Sequence, residues 1–306
     1  GPTYRSGAPT SARAPSRPPR ASEKIRAPGE SPDQDPPLFE IPRSALEAFL
    51  GRYDHLDIVI CGLVGSHSYG FPSRDSDFDL KAMHLAPAEA FSGLDEPERT
   101  VDFLDMVDGL EIDFTSHEAR FALERLLRGD GNVLERFLSP YAIGLEASSD
   151  KAKARLAELQ ALTRENLHRG FFRHYAGFLR GMEKQHDKER QAAAAEGAPE
   201  HQARIKTLLY MFRVALTGLH LLQEGELVAD LRALLPRYPQ PGVEELLARK
   251  EAEEKGLIDD ARPYLALLPG LFEALHEARE GSPLPEEAPA RDALDAWLRR
   301  WRQTKV

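Results

Sequence analysis

Apolar and polar positions along the chain change their rhythm once, near Ser116. Before that point the apolar residues come in short runs. Residues 55–63 (HLDIVICGL) are β-branched and apolar, and predict a buried strand. Residues 78–85 (FDLKAMHL) predict a second. Its alternation sets Phe78, Leu80, Ala82 and His84 on one face and Asp79, Lys81, Met83 and Leu85 on the other. Residues 100–106 and 110–115 predict two more strands, joined by a turn at Asp108-Gly109. Ahead of them, Ser44 with Glu47 three residues later has the form of a capping box opening a short helix. After Ser116 the spacing turns helical almost to the end. Helices are expected at 116–129, 131–138, 151–163, 164–195, 200–224, 227–235, 243–254, 264–279 and 290–304, several of them separated by Gly and Pro. The fold class expected is α/β of the α+β kind, a small mixed sheet followed by a helical domain. No repeat of fixed period is present.

Residues 1–37 are rich in Pro, Ser, Ala and Arg and nearly free of large apolar residues. Such a segment buries too little surface to offset its ordering entropy, so a disordered tail is expected there. Its six basic residues (Arg5, Arg13, Arg17, Arg20, Lys24, Arg26) suit an acidic partner or plain solvation. The folded part is expected to begin at Leu38, with a core over 38–140 and a helical domain over 141–306. Apolar residues make up 42% of the chain, enough for a real core. No apolar run approaches the ~20 residues of a membrane span, so no membrane partner is expected. The basic, Pro-rich start lacks the apolar stretch of a secretory signal. The single cysteine, Cys61, rules out an intrachain disulfide and fits a reducing, cytoplasmic setting. Net charge is −10, which argues against a surface built for non-specific duplex binding while allowing a local basic groove.

The chemistry concentrates in residues 62–80 (GLVGSHSYGFPSRDSDFDL). A buried strand ends at Gly65-Ser66. Glycine there admits close approach of a phosphate, and neighbouring N–H groups with the Ser66 hydroxyl can hold its oxygens. Asp77 and Asp79 follow at the start of the next strand. Positions i and i+2 of a strand face the same way, so both carboxylates point at one spot while Phe78 and Leu80 anchor the pair in the core. Two carboxylates side by side repel unless a cation lies between them. Mg²⁺ with a triphosphate suits the spot, because Mg²⁺ takes oxygen ligands and is often shared between carboxylates and phosphates. Two such ions would clamp the attacking and leaving oxygens of an in-line displacement. Asp75 falls outside the carboxylate-apolar alternation and reads as a turn residue.

This arrangement resembles the polymerase-beta nucleotidyltransferase superfamily, whose signature is an apolar strand, Gly-Ser, a spacer of about ten residues, then Asp-apolar-Asp-apolar. The string Gly-Ser-His-Ser-Tyr-Gly (65–70), followed by Asp-Ser-Asp-Phe-Asp (75–79), is similar to the branch of predicted nucleotidyltransferases found near RNA-repair ligases. So are residues 132–140 (NVLERFLSP) and 206–213 (KTLLYMFR). The resemblance spans roughly residues 55–230. It implies transfer of a nucleoside monophosphate from an NTP to a hydroxyl, with release of pyrophosphate and with Mg²⁺ or Mn²⁺ as cofactor. Asp77 and Asp79 would hold both metals. Asp113, in Glu-Ile-Asp-Phe (111–114), would hold the catalytic metal and help deprotonate the acceptor. Gly65 and Ser66 would hold the β and γ phosphates. The branch implies an RNA 3′ end or tRNA as acceptor. A protein hydroxyl, as in toxin–antitoxin nucleotidyltransferases, is the alternative, and a non-catalytic nucleotide-binding module is a third.

Several residues carry two readings. Glu111 shares a strand face with Asp113, and Asp102 and Asp105 lie nearby. His67 and Tyr69 fit either nucleotide contact or packing. Lys81 shares a face with Asp79 and reads as its ion-pair partner. In the helix near 206–222, Leu208, Phe212, Ala215, Leu219 and Leu222 form one apolar stripe. Lys206, Tyr210, Arg213 and Thr217 form a second, which is either a solvated face or a triphosphate-and-base contact. The basic and aromatic residues interleaved between Arg164 and Arg180 suit single-stranded nucleic acid or a helix with an aromatic core face. Trp297 and Trp301 are spaced to pack the last helix onto the body.

Overall fold

The structure is a computed structural model that describes residues 39–144, 148–253 and 255–304. The disordered-tail reading of residues 1–37 and the start at Leu38 lie outside the described residues. Helix α1 (Arg43–Leu50) leads into β1 (Ile58–Val64), β2 (Phe78–His84), β3 (Thr100–Val107) and β4 (Leu110–Glu118). These strands form one mixed sheet in the order β1-β2-β4-β3. β1 runs antiparallel to β2, β2 parallel to β4, and β4 antiparallel to β3. The β3–β4 hairpin turns where expected. Asp108 and Gly109 both take positive φ, 53° and 81°, as a two-residue turn matched to strand twist requires.

The helical part comprises α2 (Ala119–Leu127), α3 (Gly131–Phe137), α4 (Asp150–Glu165), α5 (Phe171–Ala195), α6 (Ile205–Glu224), α7 (Leu231–Leu234), α8 (Val243–Ala252), α9 (Arg262–Leu265), α10 (Leu268–Glu280) and α11 (Arg291–Arg302). A two-stranded sheet, β5 (Ala203–Arg204) with β6 (Leu257–Ile258), interrupts it.

Four expectations are corrected. The Ser44 capping box does not form. The helix starts one residue before Ser44, on Pro42, whose carbonyl accepts from Ala45 and Leu46. Proline needs no donor partner there, so it displaces the serine. Residues 116–118 continue β4, because pairing with β2 runs on to His84↔Glu118, and Glu118 then caps α2 by accepting from Arg120 N at 2.7 Å. The helix expected over 164–195 starts only at Phe171, and residues 164–165 belong to the end of α4. Asn166 ends α4, its amide donating to Leu162 O at 2.9 Å, and Gly170 packs where a Cβ would lie 2.5 Å from His168. Residues 203–204 are a strand paired with Leu257–Ile258, a partner distant in sequence that no local periodicity signals.

The sheet separates two cores. Phe78, Leu80, Ala82, Cys61, Leu63, Ile112 and Phe114 meet Leu46 and Phe49 of α1 in the smaller one. The opposite face contributes Met83 to a larger core built from α2 to α11. Burial pushes the Cys61 thiol up to about 12, so it stays a neutral packing group. The last helix docks as expected. Trp297 and Trp301 are buried, and the Trp301 indole donates to Glu158 at 2.9 Å. Helix α6 is long and apolar enough by length and composition to cross a membrane, and 89% of that stretch is buried inside the fold. Arg213 and Thr217 are buried with it, so its second stripe is not a solvated face.

Sheet and helices pack tightly at Gly62, where a Cβ would sit 2.8 Å from Arg136 O and 2.9 Å from Ser139 Cβ. Backbone must therefore shift to admit any side chain. Gly62→Ala is expected to cost about 1–3 kcal/mol, read as a lowered urea midpoint. An unchanged midpoint would refute this packing of α3 on β1.

Candidate active site

Strand register builds the centre of the site. β2 and β4 run parallel with Asp79 opposite Asp113 and Lys81 opposite Thr115. β1 brings Val64 opposite Asp79 from the other side. At the end of β1 the chain enters a tight turn at Gly65–His67, with Gly65 at φ 70°. A Cβ on Gly65 would lie 1.9 Å from Asp79 Oδ2. The glycine is therefore required twice, by its backbone angle and by the carboxylate pressed against it.

Asp79 is partly buried, and its carboxyl is pushed up to about 6. Desolvation is the main cause and the Asp113 and Asp77 charges add to it, while Lys81 and Lys206 oppose it. Lys81 does not pair with Asp79 as its position suggested. Its ammonium donates to Asp113 Oδ1 at 3.0 Å and to Thr115 Oγ1 at 3.2 Å, because the strand register carries it toward β4. Asp77 is exposed at the entrance to β2. The loop leading to it is held from the helical part. Lys250 of α8, fully buried, donates to Ser73 at 3.2 Å, and Arg232 donates to Gly70 O at 2.6 Å.

From Asp79 and Gly65 a cavity of about 330 Å³ opens toward α2, α3, α5 and α6. Lys81, Arg125, Arg136 and Arg213 line it, with Asn132, Thr115, His117, Phe178, Tyr69 and Tyr210. Glu135 anchors its wall, accepting from Tyr69 at 2.7 Å, Tyr175 at 3.3 Å and Arg213 at 2.5 Å. The Arg213 guanidinium also stacks 3.7 Å from the centre of the Tyr69 ring. Burial works against the Arg213 charge, but Glu135 with Tyr69, Tyr175 and Tyr210 together outweigh it, so the guanidinium is held more firmly cationic than usual. His117 is pushed down to about 3 by burial, then by Arg136 and Arg125, and stays neutral. Arg125, Arg136 and Arg213 each keep a buried Nε–H without a partner among the described residues. A larger cleft of about 730 Å³ lies elsewhere, between α1, β1 and α4, but none of the three aspartates lines it.

The sequence matches the RNA repair pathway DNA polymerase beta family (RlaP) over residues 42–300. The chain belongs to this family. A nucleotidyltransferase-like protein from Exiguobacterium sibiricum 255-15, of known crystal structure, is similar at 12% identity over 84% of this chain and 74% of that one, with a TM-score of 0.29. No curated protein matches. Membership in the polymerase-beta family makes the protein a nucleotidyltransferase, and such enzymes generally use divalent metal ions.

The residues present fit such an ion. Asp77, Asp79 and Asp113 are hard oxygen donors, and the Asp79 carboxyl, raised chiefly by burial and further by the Asp113 and Asp77 charges, would be eased by a cation beside it. Among the described residues no three ligating side chains are already gathered for a metal. Asp77 lies out at the strand entrance and Asp113 is engaged by Lys81. Further oxygens, from a triphosphate, would complete the donor set, as is usual for Mg²⁺.

Of the other expected nucleotide contacts, Gly65, Tyr210 and Arg213 line the cavity. Lys206 lies close enough to ease the Asp79 charge. Ser66 is buried in the turn. His67 is not among the lining residues; it stacks on Phe78, rings 4.4 Å apart, with Nε2 3.4 Å from Ser76 O. Sequence reasoning assigned no role to Asn132, Glu135 and Arg136. A signal was present, because positions i, i+3 and i+4 share one helix face, and here that face carries polar residues in an otherwise apolar segment.

The raised Asp79 carboxyl sets a pH dependence on the metal-free protein. The folded form holds its proton up to about pH 6, whereas the unfolded chain releases it near pH 4, so folding loses stability as pH rises through that window and stays lower above it. Asp79→Asn removes the loss. In EDTA at pH 7 the variant is expected to be about 1–3 kcal/mol more stable than the parent, with the difference vanishing near pH 4. A variant less stable at pH 7 would contradict the electrostatics described.

Proposed function

We propose that the protein transfers a nucleoside monophosphate from an NTP to a macromolecular hydroxyl, using Mg²⁺ or Mn²⁺ held by Asp77, Asp79 and Asp113. One observation carries the reading. Asp79 and Asp113 stand in register beside Gly65, at the mouth of a cavity lined by four cationic side chains. The cations Lys81, Arg125, Arg136 and Arg213 share that one enclosed wall, which suits a polyanionic triphosphate. Bound metal would supply Lewis acidity at the transferred phosphoryl group and at the acceptor oxygen.

The chain's own groups divide the remaining work. The turn at Gly65-Ser66 and the arginines hold the phosphates, Tyr210 and Lys206 border the nucleotide, and Asp113 takes up the acceptor's proton. In this reading the acceptor would reach Asp113 from its open side, where β3 pairs with β4.

The family's description supports an RNA end as acceptor. A second reading, a protein hydroxyl, is favoured by the surface on that side. Leu104, opposite Asp113, is 71% exposed, and Met106 on the same face is 60% exposed. Residues 100–118 hold six carboxylates and no Lys or Arg, a poor match for a phosphodiester backbone.

Label transfer tests both. Protein, Mg²⁺ or Mn²⁺ and each α-labelled NTP are incubated with RNA oligonucleotides and with lysate protein. Transfer to one acceptor class is expected, reduced by about 10²-fold or more in Asp77→Ala/Asp79→Ala. Label unaffected by the double substitution would remove the aspartates from the chemistry.

A further inference from the structure

We infer that Lys81 is a built-in counter-cation of the carboxylate site that makes divalent metal binding conditional on nucleotide. The inference rests on the nucleotidyl-transfer reading and adds an order to it. Lys81 lies two residues beyond Asp79 on the same face of β2, opposite Thr115 of β4. Its ammonium sits 3.0 Å from Asp113 Oδ1 and 3.2 Å from Thr115 Oγ1, with the side chain only 21% exposed. What neutralises the paired strands is thus a lysine already in place.

A divalent ion entering this site has two courses. It shares the space with an ammonium, at a cost little screened by solvent, or it takes Asp113 from Lys81. The second course leaves the ammonium without a carboxylate unless another anion receives it. Lys81 itself lines the cavity assigned to the triphosphate. Phosphate oxygens there would accept the ammonium and release Asp113 in one exchange. Lysine suits the task, being a compact charge on a flexible stem that can swing between two partners. Nucleotide and metal then raise each other's affinity by the same factor, as linkage requires. A purely structural lysine would support folding and leave metal affinity untouched.

The test is Mn²⁺ binding followed by the paramagnetic resonance of the free ion, with and without an ATP analogue carrying a methylene bridge between the α and β phosphates. The parent is expected to bind Mn²⁺ weakly alone and roughly 5–150-fold more tightly with the analogue. Lys81→Met and Lys81→Gln, both checked for native circular dichroism, are expected to bind Mn²⁺ alone about tenfold or more tightly than the parent and to gain correspondingly less from the analogue, whose own chelation of Mn²⁺ is measured without protein and subtracted. Unchanged or weaker Mn²⁺ binding in both folded variants overturns the inference while leaving nucleotidyl transfer standing. Mn²⁺ binding that ignores both the analogue and Asp79→Asn would overturn the carboxylate site itself, and the inference with it.

Discussion

The parallel register of β2 and β4 sets Asp79 beside Asp113, and that juxtaposition governs the rest of the site. Two carboxylates on neighbouring strands repel, and their partial burial sharpens the repulsion. The protein answers in three ways. Lys81 bonds Asp113, Asp79 holds its proton to about pH 6, and Gly65 gives up a side chain so that Asp79 has room. Each is a local concession to a charge arrangement that folding alone does not favour, as the proposed cation site would require.

Around that centre the two faces of the sheet take different duties. The face against α1 is a closed apolar core, and it fixes Phe78, Leu80, Ile112 and Phe114 so that the aspartates between them cannot turn inward. The other face is covered by helices over part of its width and open over the rest. The covered part holds the arginine-lined cavity, with Glu135 locking Arg213 against Tyr69 and Tyr175. The open part runs across Asp113 to Leu104 and Met106. One strand face thus has a cationic, enclosed side suited to phosphates and an open side that is acidic and apolar.

Much of this was legible in the sequence because it depends on local period. The alternation from Phe78 to Leu80, the β-branched run ending at Gly65 and the Asp108-Gly109 turn each state their geometry within a few residues. The Ser44 capping box misled because a proline two residues earlier supplied a cap that needs no side chain. The β5–β6 pair, the partner of Lys81 and the Glu135 network were not legible, since each depends on residues distant in sequence meeting through tertiary packing. Glu135 and Arg213 are 78 residues apart, and Lys81 and Asp113 are 32 apart. His67 shows a further limit. It follows Gly65-Ser66 directly, yet the tight turn swings its ring onto Phe78.

The central claim is that Asp77, Asp79 and Asp113 gather a divalent ion at the mouth of the arginine-lined cavity. Anomalous diffraction at the manganese edge, from crystals grown with Mn²⁺ and an unreactive NTP analogue, tests it most directly. The account predicts Mn²⁺ density touching Asp79 and Asp113, with the triphosphate extending from Gly65 toward Arg136 and Arg213. Manganese bound away from these aspartates, or a nucleotide lodged in the cleft between α1 and α4, would contradict it.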